Sequence, residues 1–215
     1  MMVKIKICGI KRIEDVYYVN QYLPDYIGFV YADTRRKVSQ ETASLLVKEL
    51  DPRIQKVGVF VRQEIGLLTE ALASGTVDYL QLHGDEDAAY EEALFESLIQ
   101  HGIDNPQERC IKACRIRGAE DFQRISETKC SRLLLDTYSQ TLPGGTGEHF
   151  NWDLIQGIDR EFFLAGGINV GNIERAIREV KPYAVDVSSS LETDGMKDQE
   201  KIREFMEKVR VVRTE

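Results

Sequence analysis

One pattern restricts this chain more than any other: short apolar runs with strand-like alternation are followed, again and again, by stretches with apolar residues at helical spacing. The strand-like runs are residues 3–9, 26–31, 56–61, 77–82, 109–115, 132–136, 162–165 and 183–187. Helical patterns occupy 11–22, 39–50, 64–73, 87–99, 118–128, 170–180 and 197–209, with Ser39 and Thr42 as a cap for the second of them. The sixth strand leads into a long glycine-rich loop, 137–151, which is placed to act as a lid. Strands that alternate with helices in this way predict a parallel sheet. Eight units, with no linker or low-complexity tract between them, predict a single (β/α)8 TIM barrel of the phosphate-binding type over residues 1–215. An open doubly wound sheet is the alternative that the alternation also allows.

A barrel reading ranks the polar residues, because reactive groups in such folds gather in the loops after the strands. Cys8, Arg36, His83, Asp136, the Gly166-Gly167 pair and Ser188, Ser189 and Ser190 all fall at those strand ends, in six different units. Within 3–9 the alternation puts Val3, Ile5 and Ile7 on one face and Lys4, Lys6 and Cys8 on the other. A cation beside a thiol lowers its pKa, so Lys6 makes Cys8 a candidate base; position alone favours a small buried core residue instead. Asp136 ends an apolar strand under the expected lid, where burial suits a general acid, or where it ties down the loop. Gly166 and Gly167 after the seventh strand, with Ser188 to Ser190 after the eighth, stand where barrels bind phosphate through backbone N–H groups; tight turns would explain the glycines equally. Arg36 lies in a run with Arg35 and Lys37 that reads as a solvated loop unless a carboxylate ligand calls on it. His83 reads either as a site residue or as a loop-tying histidine, and Lys112 as an inward-pointing core lysine paired to a carboxylate or as an imine former.

Composition narrows the partners. A net charge of −8 disfavours nucleic acid and anionic membranes but leaves room for a small anion in a local basic pocket. The four cysteines lack zinc-like or disulfide-framework spacing, no leader pattern opens the chain, and no apolar run is long enough to span a bilayer, so a reduced, cytoplasmic setting is expected.

The ordered set Lys-Ile-Cys-Gly-Ile at 6–10, Gly-Phe-Val at 28–30, Arg-Lys-Val-Ser at 36–39, Gly-Val-Phe-Val at 58–61 and Gln-Leu-His-Gly at 81–84 resembles the phosphoribosylanthranilate isomerase family. Leu-Leu-Leu-Asp-Thr at 133–137, Gly-Gly-Thr-Gly with Phe150 and Trp152, Ala-Gly-Gly-Ile-Asn at 165–169, Val-Asp-Val-Ser-Ser at 185–189 and Lys197-Asp198 extend the resemblance over nearly the whole chain. It implies an Amadori rearrangement of N-(5-phosphoribosyl)anthranilate in tryptophan biosynthesis, on a small phosphorylated substrate, without metal or cofactor, by a monomer or homodimer. By the same resemblance Cys8 is the general base at the sugar C2 and Asp136 the general acid at the ring oxygen. Arg36 holds the anthranilate carboxylate, Asp186 lies near the amine, and Gly166, Gly167, Ser188, Ser189 and Ser190 bind phosphate; His83 is a substrate-site residue of unassigned role. The chain departs from the family at Ser190, where glycine is usual. A positive φ there would strain serine and motivates a second reading, a phosphate-binding or regulatory barrel with little turnover. A lysine-dependent aldolase using Lys112 is a third. The segment 101–108 reads as an insertion.

Overall fold

The first strand, Lys4–Cys8 (β1), shows how the pattern becomes a barrel. Its β-branched Ile5 and Ile7 are fully or almost fully buried against the helix layer, while Lys4, Lys6 and Cys8 project to the interior. The computed structural model describes residues 2–116, 121–136, 155 and 158–212. Along these the order is β1, α1 (Ile13–Tyr22), β2 (Tyr26–Val30), α2 (Gln40–Lys48), β3 (Gln55–Phe60), α3 (Ile65–Ala73), β4 (Tyr79–Leu82) and α4 (Ala88–Gln100). Then come β5 (Cys110–Arg115), α5 (Phe122–Glu127), β6 (Arg132–Asp136), β7 (Phe162–Ala165), α6 (Ile173–Val180), β8 (Ala184–Val187), the short β9 (Glu192–Thr193) and β10 (Met196–Lys197), and α7 (Gln199–Val211). β1 to β8 pair in sequence order and close into a parallel barrel. The predicted loop 137–151, Phe150, Trp152 and the first residues of the predicted 118–128 helix lie outside the described residues.

Three helices, α2, α4 and α7, begin where a side-chain acceptor meets free N–H groups. Ser39 Oγ accepts from Thr42 N at 3.1 Å, as its position predicts, Asp87 from Tyr90 N at 2.9 Å, and Asp198 from Glu200 N at 3.0 Å. Each helix lays an apolar stripe on the outward strand faces, so Val16, Leu68, Leu94, Ile177 and Phe205 share one core with Ile7, Phe29 and Leu80. Inside the barrel a second cluster, including Tyr26, Val57, Ile111, Leu134 and Phe163, fills the lower half. Tyr26 meets Phe163 and Tyr79 edge-on at centroid distances of 5.3 and 5.9 Å, and Lys4 and Arg132 lie over the neighbouring rings. This plug fills the N-terminal half of the interior, and the cavity that the strand ends line lies toward the C-terminal ends of the strands.

Two expectations shift. The final helix begins at Gln199 rather than 197, because Glu192–Thr193 and Met196–Lys197 form a small antiparallel hairpin that takes Lys197 into its second strand. Lys112 does pair with a carboxylate, its Nζ 2.8 Å from Glu86 Oε2, and both are buried. It does so in the layer between sheet and helices: Ile111 belongs to the interior cluster, so the alternation sends Lys112 outward, away from the cavity.

Candidate active site

The unfilled upper half of the barrel is a cavity of about 410 Å³, and the ten residues that the family resemblance assigns to the site all line it. β1 and β2 bring Cys8 opposite Gly28 in register. A Cβ on Gly28 would stand 2.7 Å from Cys8 Sγ and 3.1 Å from Cys8 Cα, so the missing side chain on β2 is the slot that the thiol occupies. Below it Lys6 is fully buried and lies in register with Asp186 on β8, with Nζ 3.0 Å from Asp186 Oδ2. Burial opposes the Lys6 charge, but Asp186 and Cys8 outweigh it and hold the ammonium protonated.

The thiol itself departs from expectation. Burial raises the Cys8 pKa above its ordinary value; Lys6 and Lys197 pull it down, Asp186 pushes it up, and burial prevails. Lys6 acts in the expected direction but spends much of its field on Asp186, so it limits the rise rather than reversing it.

Asp136 ends β6, in register with Arg115 and Ala165, half-buried at the cavity wall. His83, just past β4, has Nδ1 2.7 Å from Gln81 Nε2, and burial lowers its pKa despite the nearby charge of Asp136. It is therefore a neutral imidazole at pH 7.

The charged run 35–37 divides: Arg35 and Lys37 face solvent, while Arg36 turns inward with 21% of its side chain exposed. Gly9, at φ 88°, makes this possible, since a Cβ there would stand 2.6 Å from Arg36 Cδ. Glu192 receives the guanidinium on two oxygens, from Nε at 2.6 Å and Nη2 at 2.9 Å, and also binds Arg35 at 3.1 Å and Lys197 at 3.0 Å. Burial raises the Glu192 pKa, but Arg36 and Lys197 outweigh it and bring the value down to about 2. Three cations against one anion leave a positive excess beside the cavity of an acidic protein, and three of the five Arg36 N–H donors stay outside the Glu192 contact.

On the far wall Gly166 and Gly167 take φ of 92° and 73°, a conformation that keeps their backbone close to the cavity without side chains. Ser188 Oγ donates to Cys8 O at 3.0 Å, and Lys197 Nζ to Ser188 O at 3.0 Å, which joins the strand-eight loop to both the Cys8 backbone and the Glu192 cluster. Ser190 does not adopt a positive φ; it sits in a 3-10 turn, and its hydroxyl donates to Ile168 O at 2.7 Å. The strain that its departure from glycine threatened is absent.

Sequence reasoning overlooked Glu192, Lys197, Gln81, Gly9 and Gly28 as site residues. The two glycines and Gln81 stand inside recognised motifs, where a role in making room or lining the site was readable. Glu192, in Leu-Glu-Thr-Asp-Gly, carries no local signal that separates it from a solvated loop.

The arrangement offers one thiol, the two carboxyl groups of Asp136 and Asp186, and an anion-friendly rim around a space of small-molecule size. The family model for N-(5'phosphoribosyl)anthranilate (PRA) isomerase matches residues 5–208. The N-(5'-phosphoribosyl)anthranilate isomerase of Acetivibrio thermocellus is 45% identical over 212 residues, covering 97% of this chain and 96% of the relative. That of Thermoanaerobacter sp. strain X514 is 42% identical over 215 residues, covering 99% and 100%. Among solved structures, phosphoribosyl anthranilate isomerase from Thermotoga maritima superposes with a TM-score of 0.82 at 33% identity over 97% of this chain and 99% of that one. A phosphoribosyl anthranilate isomerase in complex with reduced 1-(o-carboxyphenylamino)-1-deoxyribulose 5-phosphate superposes with a TM-score of 0.80 at 31% identity, with the same coverage.

Proposed function

Since the chain belongs to the N-(5'-phosphoribosyl)anthranilate isomerase family, we propose that Cys8 and Asp136 are the base and acid with which it performs the family reaction. That reaction is the isomerisation of N-(5'-phosphoribosyl)anthranilate, a step of tryptophan biosynthesis. The observation that carries the assignment is the meeting of Cys8, from β1, and Asp136, from β6, at one cavity with the phosphate-type loops of β7 and β8.

The chemistry proceeds by two proton movements. Asp136 gives its proton to the furanose ring oxygen, the C1–O bond breaks, and the nitrogen lone pair forms a C1=N iminium. The iminium acidifies the C2–H bond, Cys8 thiolate takes that proton, and the electron pair becomes the C1=C2 bond of an enolamine, which ketonises to the product. Each positioned group contributes about 10²–10⁴-fold. The half-buried thiol starts protonated in most molecules, so the reaction draws on a thiolate fraction that Lys6 keeps from vanishing. Arg36, steadied by Glu192, receives the anthranilate carboxylate through its remaining donors; Asp186 accepts from the amine; the backbone at Gly166, Gly167 and Ser188 to Ser190 holds the phosphate. His83 contributes a neutral ring beside Asp136. Residues 1–215 act as one domain, in the cytoplasm, as a monomer or a homodimer; the Thermotoga maritima relative is described as dimeric, and among the described residues no helix is long and apolar enough to cross a membrane.

The test follows the fluorescence of the anthranilate substrate on addition of purified protein. Cys8→Ala and Asp136→Asn are each expected to lower kcat by ~10² or more with the fold intact. Turnover like that of the wild type in both would refute the assignment. Nothing in the site favours a binding barrel without turnover, because the motive for it was strain at Ser190.

A further inference from the structure

Three buried side-chain polar atoms lack a hydrogen-bond partner among the described residues, and two of them, Gln81 Oε1 and Asp186 Oδ1, belong to residues that line the same cavity. Asp186 already has a place in the reading above. Gln81 has none, and it is the more unusual residue. It is 1% exposed, and its register neighbours are Val59 on β3 and Ile111 on β5, neither of which offers a hydrogen bond from its side chain. Its Nε2 is used, 2.7 Å from His83 Nδ1. A buried amide oxygen without a partner is costly, and an apolar side chain of the same length would avoid that cost. A polar group kept in such a place is explained when a ligand supplies the missing donor.

We propose that Gln81 is a substrate-reading residue whose amide oxygen accepts a hydrogen bond from a hydroxyl of the pentose chain. The inference rests on the isomerase reading and adds a contact to it. The donor must come from a group that enters the cavity, and in a sugar phosphate carrying an aryl amine the hydroxyls are the donors left once Asp186 has taken the amine. The same side chain orients His83. Because Gln81 Nε2 donates to Nδ1, that nitrogen is an acceptor, and the neutral ring carries its proton on Nε2. Gln81 thus presents an acceptor to the ligand and makes His83 a donor.

The experiment is a binding cycle that needs no turnover. Wild type and Gln81→Met, an apolar near-isostere, are titrated calorimetrically with reduced 1-(o-carboxyphenylamino)-1-deoxyribulose 5-phosphate and with its 3-deoxy and 4-deoxy forms. Inorganic phosphate serves as a control ligand. The substitution is expected to weaken the full analogue by ~10-fold or more, to leave one deoxy form bound equally by both proteins, and to leave phosphate unchanged. A Gln81→Met protein that binds every ligand as the wild type does, or weakens all of them equally, overturns the proposal and leaves the isomerase reading standing. Failure of the wild type to bind the full analogue overturns that reading itself. Gln81→Asn, which keeps the amide but withdraws it, carries the same expectation should Gln81→Met not fold. Nitrogen NMR of the wild type supplies an independent readout: the proton of His83 is expected on Nε2, and finding it on Nδ1 refutes the orientation of the amide.

Discussion

Replacing Gly28 by alanine puts a methyl carbon where Cys8 now has its thiol. The new atom would lie 2.7 Å from Sγ, where ordinary contact begins at 3.4 Å, so the two must part by about 0.7 Å. They cannot part freely, since the same carbon stands 3.1 Å from the Cys8 Cα, which is backbone, and β1 and β2 are tied in register at this pair. The thiol therefore turns away from its slot. Overpacking of this kind costs ~1–3 kcal/mol, and at ~2–4 °C per kcal/mol for a chain of this size the melting temperature falls by ~2–12 °C. The catalytic effect is expected to be larger in proportion, because a misplacement of about 1 Å at a reacting group costs ~10²-fold. Gly58→Ala is the control: its Cβ meets Phe60 Cε2 at 2.6 Å and Val77 Cγ1 at 3.2 Å, outside the cavity, so it strains the fold without touching the thiol. Thermal melts give the first quantity, and kcat/KM, read from anthranilate fluorescence well below both melting temperatures, gives the second. A Gly28→Ala protein that keeps kcat/KM within ~3-fold of the wild type, or one that loses no more than Gly58→Ala does, would refute the claim that Gly28 exists to seat the thiol.

Alkylation of Cys8 by iodoacetamide is expected to titrate above the ordinary thiol range, because burial outweighs Lys6, and Lys6→Met should move the midpoint further up by removing the cation while leaving Asp186; a downward move refutes that balance. Cys110, Cys114 and Cys130 are buried and give little background. Glu192→Gln leaves buried cations without their anion, and is expected to cost ~3–5 kcal/mol and to raise KM more than it lowers kcat. Because the Glu192 pKa is depressed from 4.5 to about 2 on folding, its contribution is complete above the unfolded value and drains as pH falls through the folded one; the variant's stability should fall less steeply across that window, and an unchanged acid limb would count against the cluster. Ser190→Gly removes the bond to Ile168 O and is expected to cost ~0.5–1.5 kcal/mol in urea unfolding with kcat unaltered; a marked gain in kcat would mean that Ser190 had been straining the loop after all.

Element order and strand faces were legible in the residues because they depend on local alternation. Ile5 and Ile7 against Lys6 and Cys8 need only the pleat of a strand to be sorted, and the ends of β6 and β7 coincide with the expected ones for the same reason. Lys112 shows the limit of that logic. Its burial and its carboxylate partner were readable, but the face it points to depends on the register of β5 within the closed barrel.

By itself, then, the sequence determined that eight strands alternating with helices would build a barrel and that Cys8, Asp136 and the strand-seven and strand-eight loops would stand at one end of it. Strand direction and the two-residue period suffice for that. Only the tertiary structure decided what those groups are worth: that Asp186 shares the charge of Lys6, that Glu192 holds Arg36 and Lys197 together, that Ser190 is relaxed, and that Gln81 is left with an open acceptor. Each of these joins residues far apart in the chain, or, for Gln81, records a partner that no neighbouring strand provides. Pairing across a barrel and the removal of water from it are properties of the closed sheet, which no local stretch of sequence contains.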